Sequence, residues 1–78
     1  MYFEGRIFTS EGKPMANALV LLYRFDREES VGSSKTDGHG WWLMPKEEGV
    51  DYSHLVIHCV HGGVRRIDLA YMSDVYAG

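Results

Sequence analysis

Apolar residues along this chain alternate with polar ones or stand in short blocks, and clusters of Gly, Pro, Asp and Ser separate the blocks. A separation of about 8–12 residues between such clusters is typical of short β-strands in an all-β sandwich or barrel. No stretch has the apolar period of an amphipathic helix. The pattern predicts six or seven strands, near residues 2–9, 18–26, 30–36, 41–45, 54–60 and 64–72, with a short extra strand near the C-terminus.

Segments rich in turn residues lie between the predicted strands: "SEGKP" (10–14), "TDGHG" (36–40) and "PKEEGVD" (45–51). The segment "HGG" (61–63) predicts a three-residue hairpin loop that pairs Val60 with Val64. Because side chains alternate across a strand, this register separates apolar from polar residues. The apolar face carries Leu55, Ile57, Cys59, Ile67 and Leu69, and the other face carries His54, His58, Arg66 and Asp68.

Composition and charge limit the classes of partner. The 78 residues suit one small domain, and 45% of them are hydrophobic while 24% are charged, as in ordinary globular proteins. The formal charge is −3, and no basic cluster extends beyond Arg65 and Arg66. Nucleic-acid binding requires several clustered cations, so we expect no nucleic-acid partner. No run approaches the ~18 apolar residues of a membrane span, so we expect no membrane insertion.

The N-terminal segment "MYFEGRIFTS" has neither the basic nor the apolar region of a signal peptide. We therefore expect either a cytoplasmic protein or a domain of a longer secreted or envelope protein. The single cysteine, Cys59, has no partner for an intrachain disulfide. Its apolar neighbours predict a small buried side chain.

Four segments become informative when they are taken in order: "GRI" (5–7), "GKPMANALVLL" (12–22), "TDGHGWW" (36–42) and "GVDYSHLVI" (49–57). They resemble the G-x-V start, the G-x-P-x-x-x-A-x-V-x-L segment, the T-D-x-x-G-x-aromatic turn and, with one residue inserted, the G-x-Y-x-l-x-v strand of carboxypeptidase regulatory-like domains. Those domains share the transthyretin-like (prealbumin-like) sandwich. The resemblance ends before residues 60–78.

The resemblance implies a small antiparallel Greek-key β-sandwich of six to seven strands, with residues 1–78 as a single domain. It implies that Trp42 points into the core and that Trp41 points outward. Asn17 stands where the family often has Gly, and Asn tolerates the left-handed backbone region. In the turn before the tryptophans, Asp37 is expected to accept hydrogen bonds from backbone amides beyond it, and Gly40 to restart the chain.

Family members typically act as accessory domains, beside carboxypeptidases, at the N-termini of outer-membrane receptors and at the tips of bacterial secretion spikes. The resemblance therefore implies a non-catalytic module without a cofactor. Such a module would contact another domain, a neighbouring subunit or a second copy of itself.

Several predicted strands have apolar residues on both faces. If Val20 and Leu22 point into the core, the residues between them point outward, and the same holds beside Trp42 and Met44. An antiparallel sheet that faced water would have polar residues there, and exposed patches with aromatic residues often mark interaction sites. We therefore expect a partner-binding apolar face formed by Leu19, Leu21, Tyr23, Phe25, Trp41 and Leu43.

Two other interpretations fit these residues. Strands buried on both faces also have continuous apolar sequences, and residues 71–78 offer a segment that would cover the sheet. A carbohydrate-binding sandwich would stack sugar rings on Trp41 and Tyr23, although the neighbouring leucines favour a protein partner. On the docking hypothesis, replacing Trp41 with Ser weakens association and changes stability by at most about 1 kcal/mol.

Catalytic and metal sites have little support in the sequence. His58 and His61 are three residues apart and would point to opposite faces of a strand, whereas structural zinc needs four converging ligands. Transthyretin-related hydroxyisourate hydrolases end in Y-R-G-S, and this chain ends in "DVYAG" (74–78). No spacing predicts a nucleophile beside a base. We therefore expect no metal, no cofactor and no enzyme activity.

Overall fold

The computed structural model describes residues 1–69, so the predicted extra strand near the C-terminus lies outside the described residues. The described part is all-β, in agreement with the fold class predicted from the turn spacing. Its strands are β1 (Tyr2–Arg6), β2 (Leu19–Arg24), β3 (Gly32–Lys35), β4 (Trp41–Pro45), β5 (Tyr52–His58) and β6 (Val64–Asp68).

The strands form two antiparallel sheets. Four of them form the larger sheet in the order β3-β2-β5-β6, and β1 pairs with β4 in the smaller sheet. Both sheets contribute apolar side chains to one core, so they form two layers with the core between them. The core consists of Ile7, Met15, Ala18, Val20, Leu22, Trp42, Met44, Leu55 and Ile57.

Alternation along β4 explains the pair of adjacent tryptophans. Trp42 and Met44 are buried, with 2% and 1% of their surface exposed, whereas Trp41 and Leu43 are 39% and 52% exposed. Successive side chains of a strand point to opposite faces, so only one indole of the pair can enter the core. The predicted inward Trp42 and outward Trp41 are confirmed.

Thr36 joins the end of β3 to the segment before β2. Its buried hydroxyl donates a hydrogen bond to the carbonyl of Met15 at 2.6 Å and accepts one from the amide of Ala18 at 2.9 Å. Asn17, between these two partners, has a φ of 60°, which confirms its predicted left-handed conformation. The hydroxyl thus satisfies two backbone groups that are otherwise left without partners in the interior.

The turn that leads into β4 depends on Asp37 and Gly40. A carboxylate oxygen of Asp37 accepts hydrogen bonds from the amides of His39 at 2.8 Å and Trp41 at 3.0 Å, as predicted. These amides lower the pKa of Asp37 below its ordinary value of 3.8. Gly40 has a φ of 82°, and a Cβ there would lie 2.5 Å from the carbonyl oxygen of Ile7. Only glycine fits this position.

The loop of the hairpin between β5 and β6 lies one residue earlier in the chain than predicted. Val64 pairs with His58, whereas the sequence predicts pairing with Val60. The loop begins one residue earlier because the amide of Cys59 donates to the carbonyl of Gly63 at 3.1 Å. Glycine permits the φ of 91° at position 63. The partner of Val64 changes by two positions, so the two predicted faces of the hairpin are unchanged.

Candidate docking surface

The outer face of the larger sheet carries an apolar column on its central strand β2. Leu19, Leu21 and Tyr23 point away from the core, because Val20 and Leu22 between them are buried. The neighbouring strands leave all three outward side chains half-buried. With the paired positions on β5, they form the β2–β5 face, which consists of Leu19, Leu21, Tyr23, His54, Val56 and His58.

Charged side chains border the β2–β5 face on the flanking strands. Lys35 on β3 pairs with Leu19 at one corner of the face, and Asp68 on β6 pairs with His54 at the opposite corner. Arg66 on β6 donates from Nε to the Asp68 carboxylate at 3.1 Å. The face therefore has an apolar centre, with a cation and a carboxylate at opposite corners.

A β-bulge directs Ser53 towards this face. Tyr23 pairs with His54, but Arg24 pairs with Tyr52, which leaves Ser53 as an extra residue on β5. The hydroxyl oxygen of Ser53 lies 2.8 Å from Nδ1 of His54. The ring of Tyr23 stacks on the imidazole, with the centroids 4.7 Å apart and the planes at 5°. The hydroxyl and the aromatic ring together fix the orientation of His54.

The environment of His54 favours its neutral form. Burial lowers the pKa of His54 below the ordinary value of 6.5, and the guanidinium of Arg66 lowers it further. The carboxylate of Asp68 acts in the opposite direction and is the smallest of the three effects. At neutral pH the imidazole therefore belongs to the uncharged centre of the β2–β5 face.

The contact between the Ser53 hydroxyl and the His54 imidazole is one that no spacing in the sequence predicts. Sequence spacing did not reveal it, because adjacent strand residues normally point to opposite faces and only the bulge brings these two together. A serine hydrolase also needs a group that orients the base. The carboxylate of Asp68 is bonded to Arg66, and within residues 1–69 no hydrogen bond joins it to His54. Within the part of the chain that the structure describes, the site is therefore a hydroxyl–imidazole pair without the third member of a triad.

Trp41 and Leu43, which the sequence places in the same partner-binding face as the β2 residues, lie on the smaller sheet. They point outward from β4, which pairs with β1 in the smaller sheet, whereas the β2–β5 face belongs to the larger sheet. The predicted partner-binding residues are therefore divided between the two sheets. The alternation of side chains along a strand predicts which residues point outward, but it does not predict to which sheet the strand belongs.

Arg6 covers part of the aromatic surface of the smaller sheet. It pairs with Trp41 in the register of β1 and β4, and its guanidinium carbon lies 5.4 Å from the centroid of the Trp41 ring. The same carbon lies 4.9 Å from the centroid of the Phe8 ring. Nε of Arg6 donates to the carbonyl of His39 at 2.7 Å. Trp41 thus supports an arginine that ties β1 to the turn before β4.

Phe25, the last predicted partner-binding residue, follows the end of β2. It is 72% exposed, and its amide donates to the carbonyl of Asp51 at 3.3 Å. The sequence predicts a strand that continues to residue 26, whereas β2 ends at Arg24. Phe25 therefore lies beside the end of the apolar column and not within it.

The remaining candidates for chemistry are dispersed. His39 is in the turn before β4 and His61 is in the hairpin loop, both away from the β2–β5 face. Among residues 1–69, no three His, Cys, Asp or Glu side chains come together as a metal site. Cys59 is half-buried against the core. The same residues include no helix with the length and hydrophobicity that a membrane crossing requires.

His54, Val56 and His58 belong to the candidate surface, although the sequence did not connect them with β2. The alternation in β5 predicts correctly that the two histidines share a face. Their position beside the apolar column depends on the pairing of β2 with β5, which are distant in sequence. A "HxVxH" pattern with an apolar residue between outward histidines was the available signal.

No protein-family model, curated protein or solved structure matches this chain.

Proposed function

We propose that this protein is a non-catalytic interaction module that docks on another polypeptide through the β2–β5 face. The observation that carries the proposal is that every outward position on the central part of β2, namely Leu19, Leu21 and Tyr23, is apolar or aromatic. A strand in the middle of a water-facing antiparallel sheet normally has polar residues at these positions. Burial of these side chains against a partner removes apolar surface from water.

The proposed fold is the transthyretin-like Greek-key sandwich. Three features support it: two layers of antiparallel strands, the turn closed by Asp37 and Gly40, and the inward Trp42 with its outward neighbour. The left-handed Asn17 agrees with the glycine that the family often has at this place. An accessory role follows from the resemblance of the four segments to carboxypeptidase regulatory-like domains.

Protein docking has more support than the two alternatives. A sugar-binding platform needs an accessible aromatic ring, and Arg6 lies over the ring of Trp41. On the other sheet, Tyr23 is stacked on His54. A hydrolase needs the Ser53 hydroxyl to be activated by a base that a third residue orients, and Asp68 is engaged with Arg66. Neither arrangement explains a column of leucines on the central strand.

Site-specific photo-crosslinking tests the proposed function. A photoreactive phenylalanine analogue replaces Leu21 on the face, and a second variant carries the same analogue at Val60, which is 50% exposed in the hairpin loop. In cells that make the protein, we expect a covalent polypeptide adduct at position 21 and none at position 60. The additional change Leu19→Ser should abolish the adduct, because it removes apolar surface beside the probe.

Equal adducts at positions 21 and 60 would indicate nonspecific contact, and the absence of an adduct at position 21 would argue against docking through this face. Circular dichroism checks that both variants retain the β-sheet signal of the wild type. An adduct between two copies of the chain also counts as docking, and its mass distinguishes it from capture of a different protein.

A further inference from the structure

The β2–β5 face has two properties that its role in docking does not by itself require. Its border carries opposite charges at opposite corners, Lys35 and Asp68, and its interior contains two histidines, His54 and His58. The chain has four histidines, and the other two lie in loops. The charges at the corners indicate which partner surface binds this face, and the histidines indicate at which pH it binds.

The charges at the two corners are complementary to each other, and Asp68 keeps its second carboxylate oxygen, Oδ2, beyond the Oδ1 that accepts from Arg66. Lys35 lies beside one end of the column and Asp68 lies diagonally across from it, beside the other end. When two copies pack face to face about a two-fold axis along the other diagonal, the Lys35 ammonium of each copy faces the Asp68 carboxylate of the other. The strands of the two sheets then cross nearly at right angles, a known mode of sheet packing. Leu21 and Val56 meet at the centre.

The size of the face indicates a weak association. Four strands at a spacing of about 4.8 Å and five residues at a spacing of about 3.4 Å give a surface of roughly 330 Å² per copy. Stable complexes bury about 800 Å² per partner. We therefore expect a pair of copies that is populated at high protein concentration and separates on dilution.

The groups that surround the two histidines determine the effect of pH. His54 faces the Tyr23 ring on β2, Asp68 and Arg66 on β6, and the Ser53 hydroxyl on its own strand. His58 faces apolar residues on both neighbouring strands, with the cation Arg66 diagonally across on β6 and Lys35 beyond β2. Protonation adds positive charge to a surface that already has two cations and one carboxylate.

We propose that the β2–β5 face binds a second copy of this chain while His54 and His58 are neutral, and that their protonation separates the two copies. This inference rests on the proposed docking function and identifies its partner. In the paired state four imidazoles lie within one interface, so protonation brings like charges together in a poorly solvated space. The lowered pKa of His54 in the single copy shows that this environment already disfavours the charged form.

Sedimentation equilibrium over a wide concentration range tests the inference, at about pH 7.5 and about pH 5.5, on either side of the ordinary histidine pKa. We expect a concentration-dependent dimer at the higher pH and a several-fold weaker association at the lower pH. The double variant His54→Gln, His58→Gln should dimerise equally at both pH values. The matched control His39→Gln, His61→Gln should behave as the wild type does. Near-ultraviolet circular dichroism verifies folding at each pH.

Charge reversal tests the geometry of the pair. Lys35→Asp should weaken the dimer because it places two carboxylates together, and Asp68→Lys should do the same with two cations. The combination of both changes restores the opposite charges and should restore dimerisation. Failure of the double variant to recover would overturn the two-fold arrangement, provided that its circular dichroism spectrum matches the wild type.

The outcomes separate this inference from the proposed function. A chain that stays monomeric at every concentration and pH, but still forms an adduct specifically at position 21, contradicts pairing and retains docking on a different protein. A dimer that is unaffected by pH contradicts the role of the histidines. The absence of both a dimer and an adduct contradicts the inference and the proposed function together.

Discussion

The two sheets of this protein present their outward apolar residues in different ways. On the larger sheet, Leu19, Leu21 and Tyr23 form an uninterrupted column on a central strand, beside the outward positions of β5. On the smaller sheet, Trp41 stands opposite Arg6, whose guanidinium lies over its ring. The same feature of sequence, an apolar residue at an outward position, supports a docking surface in one sheet and a local cation–π contact in the other.

The cross-strand neighbour determines whether an outward apolar residue belongs to an extended apolar surface. Leu21 pairs with Ser33 on one side and with Val56 on the other, so no charged group crosses the column there. Leu43 pairs with Glu4, whose carboxylate interrupts the apolar surface of β4. An apolar face that is large enough for docking therefore requires two adjacent strands whose paired outward residues are mostly uncharged.

The largest effect on folding stability is expected from truncation of a buried residue on β2. Leu22→Ala removes a buried side chain and should lower the free energy of unfolding by about 3 kcal/mol, whereas the neighbouring Leu21→Ser should change it by about 1 kcal/mol or less. Chemical denaturation measures both. Similar losses for the two variants would show that position 21 is also core, and the docking face would lose its basis.

Gly40→Ala should be almost as damaging, and its effect concerns the smaller sheet. The new Cβ would lie 2.5 Å from the carbonyl oxygen of Ile7, and alanine disfavours a φ of 82°. We expect a loss of about 3 kcal/mol in unfolding free energy. Gly38→Ala is the matched control in the same turn, since no atom lies within 4 Å of a Cβ there. Equal denaturation midpoints for the two variants would contradict the packing of the turn against β1.

The contact of Arg6 with Trp41 should have a smaller, measurable coupling. A double-mutant cycle with Arg6→Ala and Trp41→Ala should give a coupling energy of about 0.5–1 kcal/mol, the usual size of a cation–π contact at an exposed site. Neither change should affect association through the β2–β5 face. If Trp41→Ala abolishes the adduct formed at position 21, the smaller sheet takes part in docking and the contrast between the sheets disappears.

The larger sheet should lose stability in a pH range set by His54. Its pKa in the folded state is lowered from 6.5, so the unfolded chain binds the proton more readily. The stability that comes from keeping His54 neutral is fully present above the ordinary pKa of 6.5. It decreases as the pH falls from 6.5 through the lowered folded-state pKa. Denaturant titrations at a series of pH values should show this decrease in the wild type and a smaller one in His54→Gln. Identical profiles would contradict the effect.

The turn that leads into the smaller sheet should respond at lower pH, through Asp37. Its pKa is lowered from 3.8 by the amides of Trp41 and His39, so its contribution is present above 3.8 and is lost as the pH falls through the folded-state value. In Asp37→Asn this acid dependence should be reduced while the dependence near the histidine range remains. Nuclear magnetic resonance titration of the Asp37 carboxyl carbon measures the folded-state pKa directly, and an unshifted value would contradict the assignment.

Much of the fold was accessible from local patterns. The presence and order of six strands, the inward Trp42, the left-handed Asn17 and the amide-binding Asp37 were all predicted, and the structure agrees, although several strands begin or end two or three residues from the predicted bounds. Each depends on interactions within a few residues along the chain, such as alternation in a strand or a side chain that bonds a nearby amide. The error of one residue in the hairpin loop arose because two consecutive glycines allow two positions for the turn.

The composition of the candidate site was accessible only in part. The sequence identified Leu19, Leu21 and Tyr23 as outward residues, but it joined them to Trp41 and Leu43, which lie on the other sheet. Ser53 lies on the face because of a bulge in β5. The sequence did not predict this bulge, because it depends on the register of two strands that are distant in sequence.

Local sequence patterns are enough to indicate where the strands lie, which of their residues point inward, and which turns need Gly, Asn or Asp. These features follow from backbone sterics and from the two-residue period of a strand. The folded sheets are needed to show that β2 lies beside β5, that β4 pairs with β1, and that a charged residue lies at each of two opposite corners of the docking face. Strand pairing sets these relations, because residues far apart in sequence become neighbours only when the sheets form.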